Sequence, residues 1–261
     1  MDYILPETNL IQIKTMEKLG NSGLFVIEPL SPGYGVTLGN SLRRVLLSSL
    51  AGAAITSVKI EGATHEFSTL PGLREDIVEV ILNLKMLRFR MTSQEPVTLK
   101  LAAKGPKEVK ASDFLANSAC EIVNGDASIA TLTKGGKLNI EVEVAQGRGY
   151  MPVEKRRDEK MPLGTIAVDS IFTPVKKIHY EVENTRVGGQ TDFDKLTIDI
   201  TTDGTVDPEI ALKTASGILV DHFGLIGQAF EEVKPEKEVK KAKKEKVEKA
   251  PKAKKPAKKV K

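Results

Sequence analysis

A chain of 261 residues, 40% apolar and 28% charged, is long enough for one or two globular domains with a real core, and no apolar run approaches bilayer-spanning length. Its net charge of +4 joins two opposite parts: residues 234–261 hold fourteen lysines against four glutamates, a balance of +10, and the rest carries 25 basic against 31 acidic residues, or −6. The mildly acidic body is no nucleic-acid platform, the opening Met1-Asp2-Tyr3-Ile4-Leu5-Pro6-Glu7 lacks the basic and apolar parts of a secretory signal, and the single cysteine, Cys120, excludes an internal disulfide and reads as a small packed side chain in a reducing cytosol.

Two strands are predicted near Ile11–Ile13 and Phe25–Ile27, joined by the turn Gly20-Asn21-Ser22-Gly23. Pro32, Gly33 and Gly35 then punctuate the entry to a helix over 37–50, with Thr37 as its N-cap. Leu38, Leu42, Val45, Leu46 and Ser49 fall within a sector of roughly 100° and form a packing face. Arg43 and Arg44 lie away from that sector, and Leu47 projects between them. Two readings of Leu47 stand: an apolar contact for a protein partner flanked by two guanidinium groups, or a second core contact beside two solvated arginines.

A strand near Ile55–Ile60 follows, then a helix from about Gly72 to Leu87, with Pro71 near its first turn and Glu75 and Asp76 at the positive end of its dipole. Leu73, Ile77, Val80, Leu84 and Leu87 form its buried stripe. From 96 to 184 strands dominate. Leu138, Ile140, Val142 and Val144 alternate with Asn139, Glu141 and Glu143, and Ile178, Tyr180 and Val182 alternate with His179, Glu181 and Glu183, as in a sheet buried on one face. Leu196, Ile198 and Ile200 repeat the pattern, and Gly105-Pro106 and Gly135-Gly136 mark turns.

The last predicted helix runs from 208 to 230, with Asp207 as N-cap and Pro208 as its first residue. Leu212, Leu219, Phe223, Ile226 and Phe230 share one side, and Gly217, Gly224 and Gly227 a neighbouring one. Each glycine costs about 1 kcal/mol against alanine, which a close helix–helix contact would explain. The tail 234–261, a like-charge block of Lys, Ala, Pro, Val and Glu interrupted by Pro235, Pro251 and Pro256, is expected to be disordered.

No constellation of an enzyme stands out. His65, His179 and His222 lack zinc spacing, and Gly33-Tyr34-Gly35 and Gly147-Arg148-Gly149 are too short for phosphate-binding signatures. The acid pairs Glu75-Asp76 and Asp192-Phe193-Asp194 read as a helix first turn and a solvated hairpin rather than a metal site. Tryptophan is absent and aromatic residues are 5% of the chain, which disfavours a base-stacking surface. Gly147-Arg148-Gly149-Tyr150-Met151-Pro152 reads either as a loop leaving the strand with Tyr150 packed, or as a partner-binding loop ahead of the charged run Glu154–Lys160.

The run Gly39-Asn40-Ser41-Leu42-Arg43-Arg44-Val45-Leu46-Leu47-Ser48-Ser49 resembles the first helix of the bacterial RNA polymerase alpha subunit family. His65-Glu66-Phe67-Ser68-Thr69, Glu75-Asp76-Ile77 through Asn83-Leu84-Lys85, Gly147-Arg148-Gly149-Tyr150, Val168-Asp169-Ser170, Thr191-Asp192-Phe193-Asp194-Lys195-Leu196 and Asp203-Gly204-Thr205-Val206-Asp207-Pro208 follow in that family's order, so the resemblance covers about residues 3–230. It implies an α+β protein with a discontinuous α/β dimerisation domain at 1–51 and 177–233, an inserted mostly-β domain at 52–176 and the basic tail at 234–261. It implies a cytoplasmic, nucleoid-associated subunit of a nucleotidyltransferase, without cofactor or active site of its own, which homodimerises and scaffolds the beta and beta-prime subunits.

The family's dimer contacts fall here on Tyr34, Leu38, Leu42, Leu46, Leu50, Leu219, Phe223, Ile226 and Phe230. Its large-subunit contacts fall on Arg43, Arg44, Leu47, His65, Glu66, Phe67 and Ser68. Where the family carries a linker and a helical domain that contacts promoter DNA, this sequence has the lysine-rich stretch, from which a non-specific DNA contact is expected. The rival expectation is a nucleoid-type DNA-binding protein that acts through that tail.

Overall fold

A computed structural model describes residues 11–156, 162, 164–187 and 189–229. The expectations for Phe230, for the tail and for most of the run Glu154–Lys160 lie outside them. Residues up to Leu219 form one compact unit, and the stretch from Val220 is a second.

Within the first unit the chain opens with a hairpin, β1 (Gln12–Leu19) and β2 (Ser22–Leu30), continues into helix α1 (Tyr34–Ser48) and leaves it through strand β3 (Ala51–Ile60). Helix α2 (Ile77–Lys85) follows, then β4 (Phe89–Met91), β5 (Val97–Lys104), β6 (Lys107–Lys110), β7 (Cys120–Ile122), β8 (Ser128–Leu132), β9 (Lys137–Arg148), β10 (Tyr150–Met151), β11 (Thr165–Ala167) and β12 (Ser170–Ile171). A long hairpin, β13 (Val175–Val187) and β14 (Gln190–Thr202), leads to helix α3 (Pro208–Ala229).

The two ends of the chain share one antiparallel sheet, ordered β1-β2-β14-β13. Its register sets Phe25 against Ile198 and Ile27 against Leu196, and Tyr180 and Val182 against Ile198 and Leu196 from the other side. Period-two alternation therefore gathers Phe25, Ile27, Leu196, Ile198 and Ile200 on one face. Leu42, Leu46 and Leu50 from the α1 segment and Ala211, Leu212 and Ala215 from the start of α3 complete this core. Burying each leucine contributes about 1.5–3 kcal/mol. Two glycines let α1 lie close to the sheet: a Cβ on Gly35 would stand 2.7 Å from Val182 Cγ1, and one on Gly39 2.6 Å from Tyr180 Cδ2.

The start of α1 corrects the expectation for Thr37. The helix begins three residues earlier, after Gly33 at φ 85°, and Thr37 sits inside its first turn with its hydroxyl donating to the Gly33 carbonyl at 3.1 Å. The cap comes from far along the chain. Asp194 Oδ2 accepts the N–H groups of Gly33 and Gly35, each at 2.9 Å, and so sets a carboxylate at the positive end of the helix dipole. Asp194 is buried and is no solvated hairpin residue. At α3 the expectation holds: Asp207 Oδ1 accepts the Glu209 N–H at 3.0 Å ahead of Pro208.

The central stretch builds a second sheet, β5-β9-β3-β4-β7, with β11 on β3, and the two-stranded pairs β6–β8 and β10–β12. Its core gathers Ile55, Val58, Ile60, Val80, Leu84, Phe89, Leu99, Leu101, Ile140, Val142 and Val144. The architecture is thus α+β, with an α/β element made by both termini and a mostly-β insert between them. Cys120 is buried in the insert core, and burial pushes its thiol up to about 11, so it stays protonated and packed.

Helix α2 is shorter than the predicted 72–87 because residues 72–75 pair with β8 instead. The Gly72 carbonyl accepts the Thr133 N–H at 2.9 Å, Arg74 N–H reaches Thr131 O at 3.1 Å, and Glu75 Oε2 accepts the Thr131 N–H at 2.7 Å. Glu75 is therefore a backbone acceptor for a strand, not a first-turn helix charge. Terminal and central regions meet through close backbone and charge contacts. Arg88 Nε lies 3.5 Å from the buried Asp203 carboxylate, and Arg90 Nε donates to Thr205 O at 3.3 Å.

Candidate partner-binding surfaces

Because Leu42 and Leu46 point α1 into the sheet, its opposite side is fixed outward. Arg43 and Arg44 are exposed there, and Leu47, 37% exposed, is no second core contact. Tyr34 and Val36 are exposed near the same helix start.

The proposed dimer residues divide. Leu42, Leu46 and Leu50 are buried inside their own chain, which leaves them little surface for a partner. Leu38 and Leu219 are half-buried and Tyr34 exposed. In the second unit Phe223 (64%) and Ile226 (58%) lie open, together with Val220 and Leu225, which the stripe reading left out. A Cβ at Gly217, Gly224 or Gly227 would meet nothing within 4 Å, so among the described residues no contact accounts for these glycines. By length and composition α3 is apolar enough to cross a membrane, with mean hydropathy 1.2 over its most apolar window, which corrects the reading of the sequence; its first turns are packed into the terminal core.

The segment 65–68 is a closed turn. Ser68 N–H donates to His65 O at 3.1 Å, and His65 N–H reaches back to Ser68 Oγ at 3.3 Å. It exposes His65, Glu66 and Phe67, while Ser68 is half-buried. Glu66 also lines a shallow cleft with Val78, Leu82, Lys85, Val153 and Asp169. On α2 the side chains Val78, Leu82 and Met86 remain exposed although the opposite side packs into the insert. The apolar residues Val78, Leu82 and Met86, outside the main stripe, carried that signal, and the single-stripe reading missed it.

The Gly147–Pro152 segment is not a loop with a packed tyrosine. β9 continues to Arg148, Gly149 turns the chain at φ 64°, and β10 pairs Tyr150 with Ile171. Tyr150 is 59% exposed. Asp169 accepts the Val153 N–H at 2.9 Å and Lys85 Nζ at 3.4 Å. The Val153 N–H, with help from Lys85, holds its carboxyl below the usual range. Among the described residues no group of three or more His, Cys, Asp or Glu side chains is arranged to hold a metal. What the surfaces offer is contact: exposed guanidinium groups, an open aromatic turn and an open apolar helix end.

Comparison with known proteins returns one consistent result. Residues 58–173 match the model of the RNA polymerase Rpb3/RpoA insert domain. The chain is 52% identical over 221 residues to a Symbiobacterium thermophilum protein named DNA-directed RNA polymerase subunit alpha, covering 83% of this chain and 70% of that protein. Proteins of the same name from Alkaliphilus metalliredigens and Clostridium botulinum are 52% and 51% identical, covering 81% and 79% of this chain and 67% and 65% of theirs.

Proposed function

The chain belongs to the alpha-subunit family of bacterial DNA-directed RNA polymerases, a component of a nucleotidyltransferase complex, and from that membership we propose that it homodimerises and scaffolds assembly of the beta and beta-prime subunits. The observation that carries the reading is the 52% identity over 221 residues. In it the chain contributes contacts and no active site, and it works in the cytoplasm beside the nucleoid. The relatives do not favour a stand-alone nucleoid protein.

In this proposal the dimer forms through α1 and α3, with Tyr34, Leu38, Leu219, Phe223 and Ile226 as contact residues. The open side chains of the Val220–Ala229 stretch support it, since apolar surface of that kind is seldom left in water. A large subunit meets Arg43, Arg44 and Leu47 and the turn His65-Glu66-Phe67-Ser68, all but Ser68 exposed. The domain limits we propose are 1–51 with 177–233 for dimerisation and 52–176 for the insert. The balance of +10 over residues 234–261 supports a further, non-specific contact with DNA phosphate.

The test is reconstitution with the two large subunits. Arg44→Ala is expected to block binding of one of them and spare the dimer, because truncating one partner of a desolvated charge contact costs about 2–5 kcal/mol. Wild-type yield of assembled polymerase with Arg44→Ala would overturn the reading of that face. Deleting residues 234–261 is expected to leave assembly intact and to weaken binding to unrelated duplexes at low salt.

A further inference from the structure

The β9–β10 turn is seated against the end of α1. Arg148, the last residue of β9, pairs with Ala51, three residues beyond Ser48. A Cβ on Gly149 would stand 3.2 Å from the Ser48 carbonyl oxygen, and Ser48 Oγ donates to the Arg44 carbonyl at 2.8 Å. Arg148 therefore lies between a residue paired with the start of β3 and one packed on the last turn of α1, the turn that carries Arg44 and Leu47.

Arg43, Arg44 and Arg148 are all exposed, and no carboxylate among the described residues lies within ion-pair distance of any of them. Arg88 and Arg90 by contrast have Asp203 and Glu121, and Asp169 already accepts from Val153 and Lys85. Guanidinium groups gathered on one surface without counter-charge repel one another in the free chain. A partner that brings carboxylates relieves this and can pair with each planar fork through two hydrogen bonds.

We propose that Arg148 joins Arg43 and Arg44 in one docking surface for an acidic segment of a large subunit, whose carboxylates flank an apolar side chain that meets Leu47. This rests on the large-subunit reading above. A protein fits better than nucleic acid, since Leu47 stands among the arginines and the body of the chain carries −6.

The full-length chain and its Arg148→Ala, Arg148→Lys and Arg44→Ala variants are titrated against each purified large subunit across a salt series. Arg148→Ala is expected to weaken binding to one of them at least about 30-fold and to flatten its salt dependence. Arg148→Lys should fall between the two, with the dimer and the melting temperature unchanged. If Arg44→Ala weakens binding and Arg148→Ala does not, Arg148 lies outside the surface while the large-subunit reading stands. If neither does, that reading falls and this inference with it. Loss confined to binding of a short random-sequence duplex would assign the arginines to nucleic acid and overturn the proposal.

Discussion

In α1 the apolar side chains Leu42 and Leu46 lie against the chain's own sheet, whereas in the stretch from Val220 the side chains of Val220, Phe223, Leu225 and Ile226 lie in the open. Both segments read as amphipathic helix, and both carry glycines on or beside the apolar side. The glycines separate them. At Gly35 and Gly39 a methyl group would strike Val182 and Tyr180, while at Gly224 and Gly227 it would meet nothing. One helix has found its partner within the chain. The other has the composition of a packed helix and open space at its glycines among the described residues.

The sharpest test puts a charge on each side of that divide. Leu46→Asp is expected to unfold the chain itself, since an uncompensated charge in a fully buried position costs about 3–5 kcal/mol, and a thermal melt with soluble yield reads the loss. Phe223→Asp, at an exposed position, should leave the melt of the isolated chain nearly unchanged and turn the proposed dimer into monomer by sedimentation. A second pair uses the glycines. Gly39→Ala should cost about 1–3 kcal/mol through overpacking against Tyr180. Gly224→Ala should gain about 1 kcal/mol of helix stability in the monomer and weaken the dimer, and an unchanged dimer would mean that no second helix comes close there. The smallest effect is expected at the cap. Asp194→Asn keeps an acceptor beside Gly33 and Gly35 but removes the charge from the helix end, at about 1 kcal/mol by denaturant unfolding.

Much of this division was readable in advance. Alternation at 138–144, 178–183 and 196–200 identified strands, and the Leu42/Leu46 spacing oriented α1, because period and burial are tied by geometry. The Asp207–Pro208 start of α3 was legible because its cap lies next to the helix it serves. What was not legible depends on partners distant in sequence. Asp194 looked like a solvated acid because its partners lie 159 and 161 residues away. The start of α2 was misplaced because residues 72–75 give their backbone groups to β8, which overrides local helix preference. In the candidate site, Arg43, Arg44 and Leu47 were found from the helical wheel. Arg148 was not connected to them, since only the packing of Gly149 on Ser48 brings the two segments together.

The long-range cap on α1 also orders events during synthesis. A ribosome adding about 5–20 residues per second takes roughly 8–30 s to pass from Gly35 to Asp194. Through that interval α1 has neither the carboxylate for its first N–H groups nor the strands β13 and β14 that cover its buried side. The insert, whose strands and helix are all made in the meantime, can fold while the N-terminal segment waits. Nascent chains arrested before residue 190 should then show a protease-resistant insert and a cleavable α1. The first helix to be made is among the last to be finished, and a subunit whose outward arginines depend on that helix cannot offer them to a partner until nearly its whole folded length has emerged.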